Sequence, residues 1–79
     1  MTNKEKYIKV FAEVLNISNE QVNEELKLHS VSSWDSIGHM SLISAFEDTF
    51  DIFIDTEDIL VFNSFCSGIE ILKKYDIEI

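Results

Sequence analysis

Apolar residues in this chain recur mostly with the period of a helix, and they do so in three separate stretches. Tyr7, Ile8, Phe11, Val14 and Leu15 fall three and four residues apart, which predicts an amphipathic first helix over about residues 3 to 15. Thr2 with Glu5 makes a capping-box pattern at its start. Leu42, Ile43, Phe46 and Phe50 repeat the spacing and predict a second helix from about Ser36 to Phe50, with Asp35 as its N-cap. A short third helix is expected from Asp55 or Thr56 through about Val61. A fourth, capped by Ser64, includes Phe65, Ile69, Leu72 and Tyr75. Lys73 and Lys74 suit the negative end of that last helix, whereas Gly68 inside it costs about 1 kcal/mol relative to alanine. The tail Asp76 to Ile79 is expected to fray.

Between the first two helices, residues 16 to 35 lack a sustained period. Ile17, Val22, Leu26, Leu28 and Val31 supply intermittent apolar anchors, so this long connection reads as a loop pinned across the core. A turn of helix near Ser18 to Glu25 is expected because Ser18 and Gln21 form a second capping-box pattern. Phe50-Asp51-Ile52-Phe53-Ile54 alternates like a strand, yet no second strand is evident to pair with it, and a buried linker is the expectation.

Composition agrees with a helical reading, since proline is absent and glycine occurs twice among 79 residues. That length suits one domain, residues 1–79, with a single core of marginal stability, and leaves no room for a substrate cleft with its own support. A hydrophobic content of 46% suffices for a compact core despite the charge. Fifteen acids against six bases give a formal charge of −9, which repels nucleic acid and anionic membranes and favours partners with basic patches. Self-repulsion of that charge predicts a gain in stability with salt or divalent cations. The longest apolar run, Ile59-Leu60-Val61-Phe62, is too short to cross a bilayer, and the N-terminus shows no apolar signal segment. Cys66 is the lone cysteine, expected as a buried structural thiol in a reducing cytoplasm.

Chemistry concentrates in Trp34-Asp35-Ser36-Ile37-Gly38-His39-Met40, where a serine hydroxyl falls in the first turn of the second helix. An exposed serine open to modification is expected there. Met40, Ser44, Glu47, Asp48 and Asp51 follow near the same face, away from the apolar stripe. Glu47, Asp48 and Asp51 crowd the helix C-terminus, where the dipole favours cations and each such placement costs about 0.3–1 kcal/mol. A broken local rule with no evident structural gain marks candidate docking acids, although the same acids also read as a solvated face. Charge reversal at Glu47 and Asp48 is expected to weaken docking with little loss of fold stability.

Asp35-Ser36-Ile37, the spaced apolar helix behind it and then Phe50-Asp51-Ile52-Phe53-Ile54-Asp55 together resemble acyl carrier proteins and related thiolation domains, across essentially the whole chain. The resemblance implies an all-α, small four-helix bundle with a long first loop and a short third helix. It also implies that Ser36 carries 4′-phosphopantetheine, derived from coenzyme A by a phosphopantetheinyl transferase with Mg²⁺. Acyl or aminoacyl groups would then ride as thioesters on that arm, placed by a loading ligase and passed to downstream transferases or synthases. Such a carrier is not itself an enzyme, and a cytoplasmic monomer is the expectation. Asp35, Ile37, Met40, Ser44, Glu47, Asp48, Ile54 and Glu57 would face those partners, with Ile37 in place of the usual leucine. Gly38 and Ser41 stand where carriers of fatty acid synthesis usually have acids. Ser-x-Gly after the aspartate is more similar to D-alanyl carriers and to stand-alone carriers of surface-polysaccharide or specialised-metabolite pathways. Fatty acid, polyketide and polysaccharide biosynthesis therefore all remain as settings.

Other chemistries fit less well. His39 lies three residues after Ser36, but a serine hydrolase lacks its third member here and Trp34 stands where a nucleophile elbow needs glycine. His29 and His39 have no metal-ligand spacing with the acids, and Phe53 occupies a ligand position in any EF-hand reading of Asp51, Asp55, Glu57 and Asp58. Trp34 is expected to pack over the loop and helix base, or to face a partner. A noncovalent acidic helical adaptor for a basic surface is the alternative to a carrier.

Overall fold

Side chains that accept the first free backbone amides set where three of the four α-helices of this protein begin. The computed structural model describes residues 1–79 and contains α1 (Asn3–Leu15), α2 (Ser36–Phe50), α3 (Thr56–Val61) and α4 (Phe65–Lys73), with a 3₁₀ turn at Asn19–Gln21. Thr2 Oγ1 accepts the Glu5 N–H at 3.1 Å, and Glu5 Oε1 accepts the Thr2 N–H at 2.9 Å. Those bonds to Thr2 hold the Glu5 carboxyl below the usual glutamate range. Ser64 Oγ accepts the Ser67 N–H at 3.0 Å and starts α4, while Gln21 Oε1 accepts the Ser18 N–H at 3.0 Å over the 3₁₀ turn. At the other ends, Asn16 and Asp51 take left-handed backbone, with φ of 55° and 52°, which these short polar residues tolerate.

Packing centres on aromatic side chains contributed by three of the helices and two of the connections. Tyr7 and Phe11 of α1, Phe46 of α2, Phe65 of α4, and Trp34 and Phe62 from the connections are all buried. Tyr7 stacks on Phe46 with centroids 5.2 Å apart and meets Phe11 edge-on at 5.0 Å. Its hydroxyl donates to the Phe65 carbonyl at 2.6 Å, which satisfies the buried polar end, and burial pushes the phenol pKa up. The long first connection is pinned as expected, with Val22, Leu26 and Trp34 in the core. Its backbone also pairs with the α3–α4 turn: Leu28 N–H donates to Asn63 O and Phe65 N–H donates to Leu26 O, each at 2.8 Å. This produces one isolated antiparallel bridge, Lys27 with Ser64, and no strand. No helix is long and apolar enough to cross a membrane.

Several expectations are corrected by the packing. The tail does not fray: Ile77 is buried, its N–H donates to Leu72 O at 3.0 Å, and Asn3 Nδ2 donates to Glu78 O at 3.2 Å. The linker expected over residues 50–54 is not buried throughout, because its alternation turns Phe53 outward at 82% exposure while Ile54 turns in. Cys66 is exposed, since α4 buries Phe65, Gly68, Ile71 and Leu72 and leaves position 66 on the outer face. Gly68, a propensity defect in isolation, is required by contact: a Cβ there would lie 2.6 Å from Phe62 Cζ and overlap the Tyr7 hydroxyl.

Candidate functional site

Ser36 is the first residue of α2 and is exposed. Asp35 caps the helix, its Oδ1 accepting the Gly38 N–H at 2.8 Å while its carbonyl accepts the His39 N–H at 2.8 Å. The amides of Ser36 and Ile37 therefore open the helix with no partner a turn behind them. The preceding loop holds this start in place. His29 N–H donates to Trp34 O at 3.0 Å and Trp34 N–H donates to Val31 O at 3.1 Å, with His29 at a φ of 70°. Gly38 then passes so close to the Ser33 carbonyl that any Cβ would overlap its oxygen.

The indole of Trp34 is fully buried and Trp34 Nε1 donates to His39 Nδ1 at 3.0 Å. His39 Nε2 lies 2.9 Å from the Ile59 carbonyl of α3. An indole N–H can only donate, so Nδ1 accepts and Nε2 carries the proton that Ile59 O receives. Both ring nitrogens are thus committed, and neither is free to act as a base toward the Ser36 hydroxyl. Nothing in the spacing rules applied to the sequence flags this pairing, because it joins a loop residue to a first-turn residue across a cap.

Beside Ser36 runs an open groove of about 300 Å³ between α2 and α3. Ser36, His39 and Met40 line one side, Ile59, Leu60 and Phe62 the other, and Leu28 and Asn63 complete it. No Lys, Asp or Glu side chain borders it. Leu60 of its lining and Ile37, next to Ser36 in sequence, are 76% and 80% exposed. The expected contacts omit Leu60 and Val61, yet the run Ile59-Leu60-Val61-Phe62 contains the signal: a helical turn cannot bury consecutive residues on one face, so part of the run must face outward.

The remaining candidate residues divide. Asp35, Ile37, Met40, Ser44, Asp48 and Glu57 are exposed, and Ser36, Met40, Ser44 and Asp48 succeed one another at four-residue steps along α2. Glu47 is only half exposed and does not belong with them as a free docking acid: its Oε2 accepts the Ile54 N–H at 2.9 Å. Ile54 is a core residue, 1% exposed, and is not available to a partner. The acids at the end of α2 do have a structural use, since Glu47 ties down the linker and Asp51 forms the left-handed cap whose N–H donates to Glu47 O.

α3 is held from its other side by an unforeseen cluster. Asp58 is buried, its Oδ1 accepting from Lys74 Nζ and its Oδ2 from the Tyr75 hydroxyl, each at 2.6 Å. Tyr75 Oη in turn accepts the Asp55 N–H at 3.0 Å. The Lys74 bond, reinforced by that from Tyr75, holds the Asp58 carboxyl below the usual aspartate range, and the same pairing raises Lys74.

A scan against protein-family models finds none that matches this chain, and a search of curated proteins finds no match either.

Proposed function

We propose that this chain is a carrier domain of the acyl-carrier type, in which Ser36 is the attachment point for 4′-phosphopantetheine. The observation that carries the reading is the placement of an exposed serine hydroxyl as the first residue of a capped helix, at the rim of an apolar, uncharged groove. The residues present fit the group. The Asp35 carboxylate, which would otherwise repel a phosphate next to it, is turned onto the Gly38 amide, and the open N-terminal amides and helix dipole favour a phosphodiester charge.

In the loading step the Ser36 hydroxyl attacks phosphorus in coenzyme A. The new Oγ–P bond forms as the P–O bond to adenosine 3′,5′-bisphosphate breaks, and the serine proton passes to a base of the transferase. His39 cannot supply that base, because its nitrogens are engaged with Trp34 and Ile59. When attached, the group supplies a terminal thiol that carries acyl or aminoacyl cargo as a thioester. Asp35 and the Trp34 anchor hold the start of α2, and Ile37, Met40 and Leu60 offer apolar contact area to transferases, ligases and downstream synthases around the loaded serine. Ser44, Asp48 and Glu57, all exposed, would add polar contacts to the same partners.

Intact mass spectrometry tests the reading. Incubation with coenzyme A, Mg²⁺ and a phosphopantetheinyl transferase of broad specificity should add the mass of one 4′-phosphopantetheine, and Ser36→Ala should abolish the addition. A chain that stays unmodified, with basic partners still bound by Ser36→Ala, would instead favour the acidic adaptor.

A further inference from the structure

From its place in α2, the imidazole of His39 hydrogen-bonds at once to the first connection, through Trp34, and to α3, through Ile59. It stacks beside the Trp34 indole, with centroids 6.2 Å apart, and meets the Phe62 ring at an interplanar angle of 61° with centroids 6.3 Å apart. Each of its hydrogen bonds answers a need created elsewhere. Trp34 Nε1–H is part of a fully buried side chain and requires an acceptor. Ile59 O lies in the last turn of a six-residue helix, where carbonyls have no intrahelical partner. His39 supplies the acceptor at 3.0 Å and the donor at 2.9 Å with one neutral tautomer.

We infer that His39 is a positioning residue for Ser36: it braces the first turn of α2 against the end of α3 and thereby sets the width of the groove that an enzyme acting on Ser36 must read. Ser36 and His39 lie one turn apart on the same wall of that groove, and Ile59, whose carbonyl accepts the His39 Nε2–H bond, lies on the opposite wall. Without the imidazole, the Ile59 carbonyl and the buried indole N–H both lose their partners, and no side-chain hydrogen bond joins the two walls at the Ser36 end of the groove. The hydroxyl itself is untouched by the change, so the effect falls on recognition of the carrier rather than on the reacting bond. This inference rests on the carrier reading.

The test is steady-state transfer from coenzyme A to the folded chain, with the carrier as varied substrate. His39→Leu, which fills the space without nitrogens, should raise KM about tenfold or more while leaving kcat within about twofold, as expected for a misplaced docking surface. His39→Gln, which keeps one acceptor and one donor, should recover most of the loss. Ile77→Ala serves as control, since the C-terminal tail does not line the groove. An unchanged KM in His39→Leu overturns the inference, as does an equal rise in Ile77→Ala at matched loss of thermal stability. Should His39→Leu fail to fold, nitrogen NMR of the wild-type imidazole decides: the proton is expected on Nε2 with Nδ1 accepting, and the opposite tautomer overturns the brace. A wild-type chain that takes up no group at all refutes the carrier reading itself, which separates that failure from a failure of the brace.

Discussion

The carboxylate of Glu47, in the last turns of α2, accepts the backbone N–H of Ile54 at 2.9 Å, seven residues further along the chain. It closes the turn that leads into α3, and with it the distance between the two helices that frame Ser36. An acid at the negative end of a helix is unfavourable locally. Here the loss is offset by satisfying the amide of a residue whose side chain is in the core.

Glu47 and Asp48 should therefore respond differently to charge reversal. Glu47→Lys removes the acceptor and should cost about 1–3 kcal/mol of stability, while Glu47→Gln, which retains an oxygen acceptor, should cost less. Asp48→Lys, on the exposed face, should stay within about 0.5 kcal/mol. Urea denaturation of the three variants measures this, and equal losses at both positions would remove the structural role of Glu47.

Acid should loosen the attachment of α3 through Asp58. Its folded pKa lies below the unfolded value because of the Lys74 and Tyr75 bonds, so its contribution is present above the ordinary aspartate range and is lost as pH falls through the lowered value. Lys74 is raised by the same contact, so its share persists to high pH and disappears only as pH climbs through the raised lysine value. Asp58→Asn should melt about 5 °C or more below wild type at neutral pH, with the gap narrowing below about pH 4. A gap that is constant from neutral pH to acid would refute the linkage.

Gly68→Ala sets two effects against each other. Alanine improves helix propensity by about 1 kcal/mol, but its methyl would lie 2.6 Å and 2.8 Å from Phe62 ring carbons and overlap the Tyr7 hydroxyl. Overpacking of a close-packed core costs about 1–3 kcal/mol and should win. Calorimetry on the variant should give a lower melting temperature, and a rise would mean that the ring of Phe62 moves aside freely.

Cys66 should react with an aromatic disulfide reagent in the folded protein, one equivalent per chain, without denaturant. Its thiol is exposed and makes only a long contact, 3.9 Å, to the Glu24 carbonyl. Reaction that begins only on unfolding would return this residue to the core.

The outline of the fold was legible in local signals. The bounds of α1 and α2 follow from Thr2, Glu5 and Asp35 as caps and from apolar residues at three- and four-residue spacing, and α4 follows from Ser64, whereas Asp55 precedes α3 without a side-chain capping bond. Caps and periodicity act within a turn or two of chain, so they can be read residue by residue. The position of Ser36 at the head of α2 belongs to the same class.

What surrounds Ser36 depended on residues distant in sequence. Trp34, His39 and Ile59 meet across 20 positions between His39 and Ile59, Asp58 finds Lys74 and Tyr75 on α4, and Gly68 is placed by Tyr7 of α1. Patterning put Glu47 on a docking face and Cys66 in the core, the family resemblance put Ile54 on that face, and tertiary packing reversed all three. Local spacing tells which residues share a face. Which face is covered, and which polar atom finds a partner, is decided only when the helices meet, because burial and hydrogen-bond satisfaction belong to the neighbour as much as to the residue.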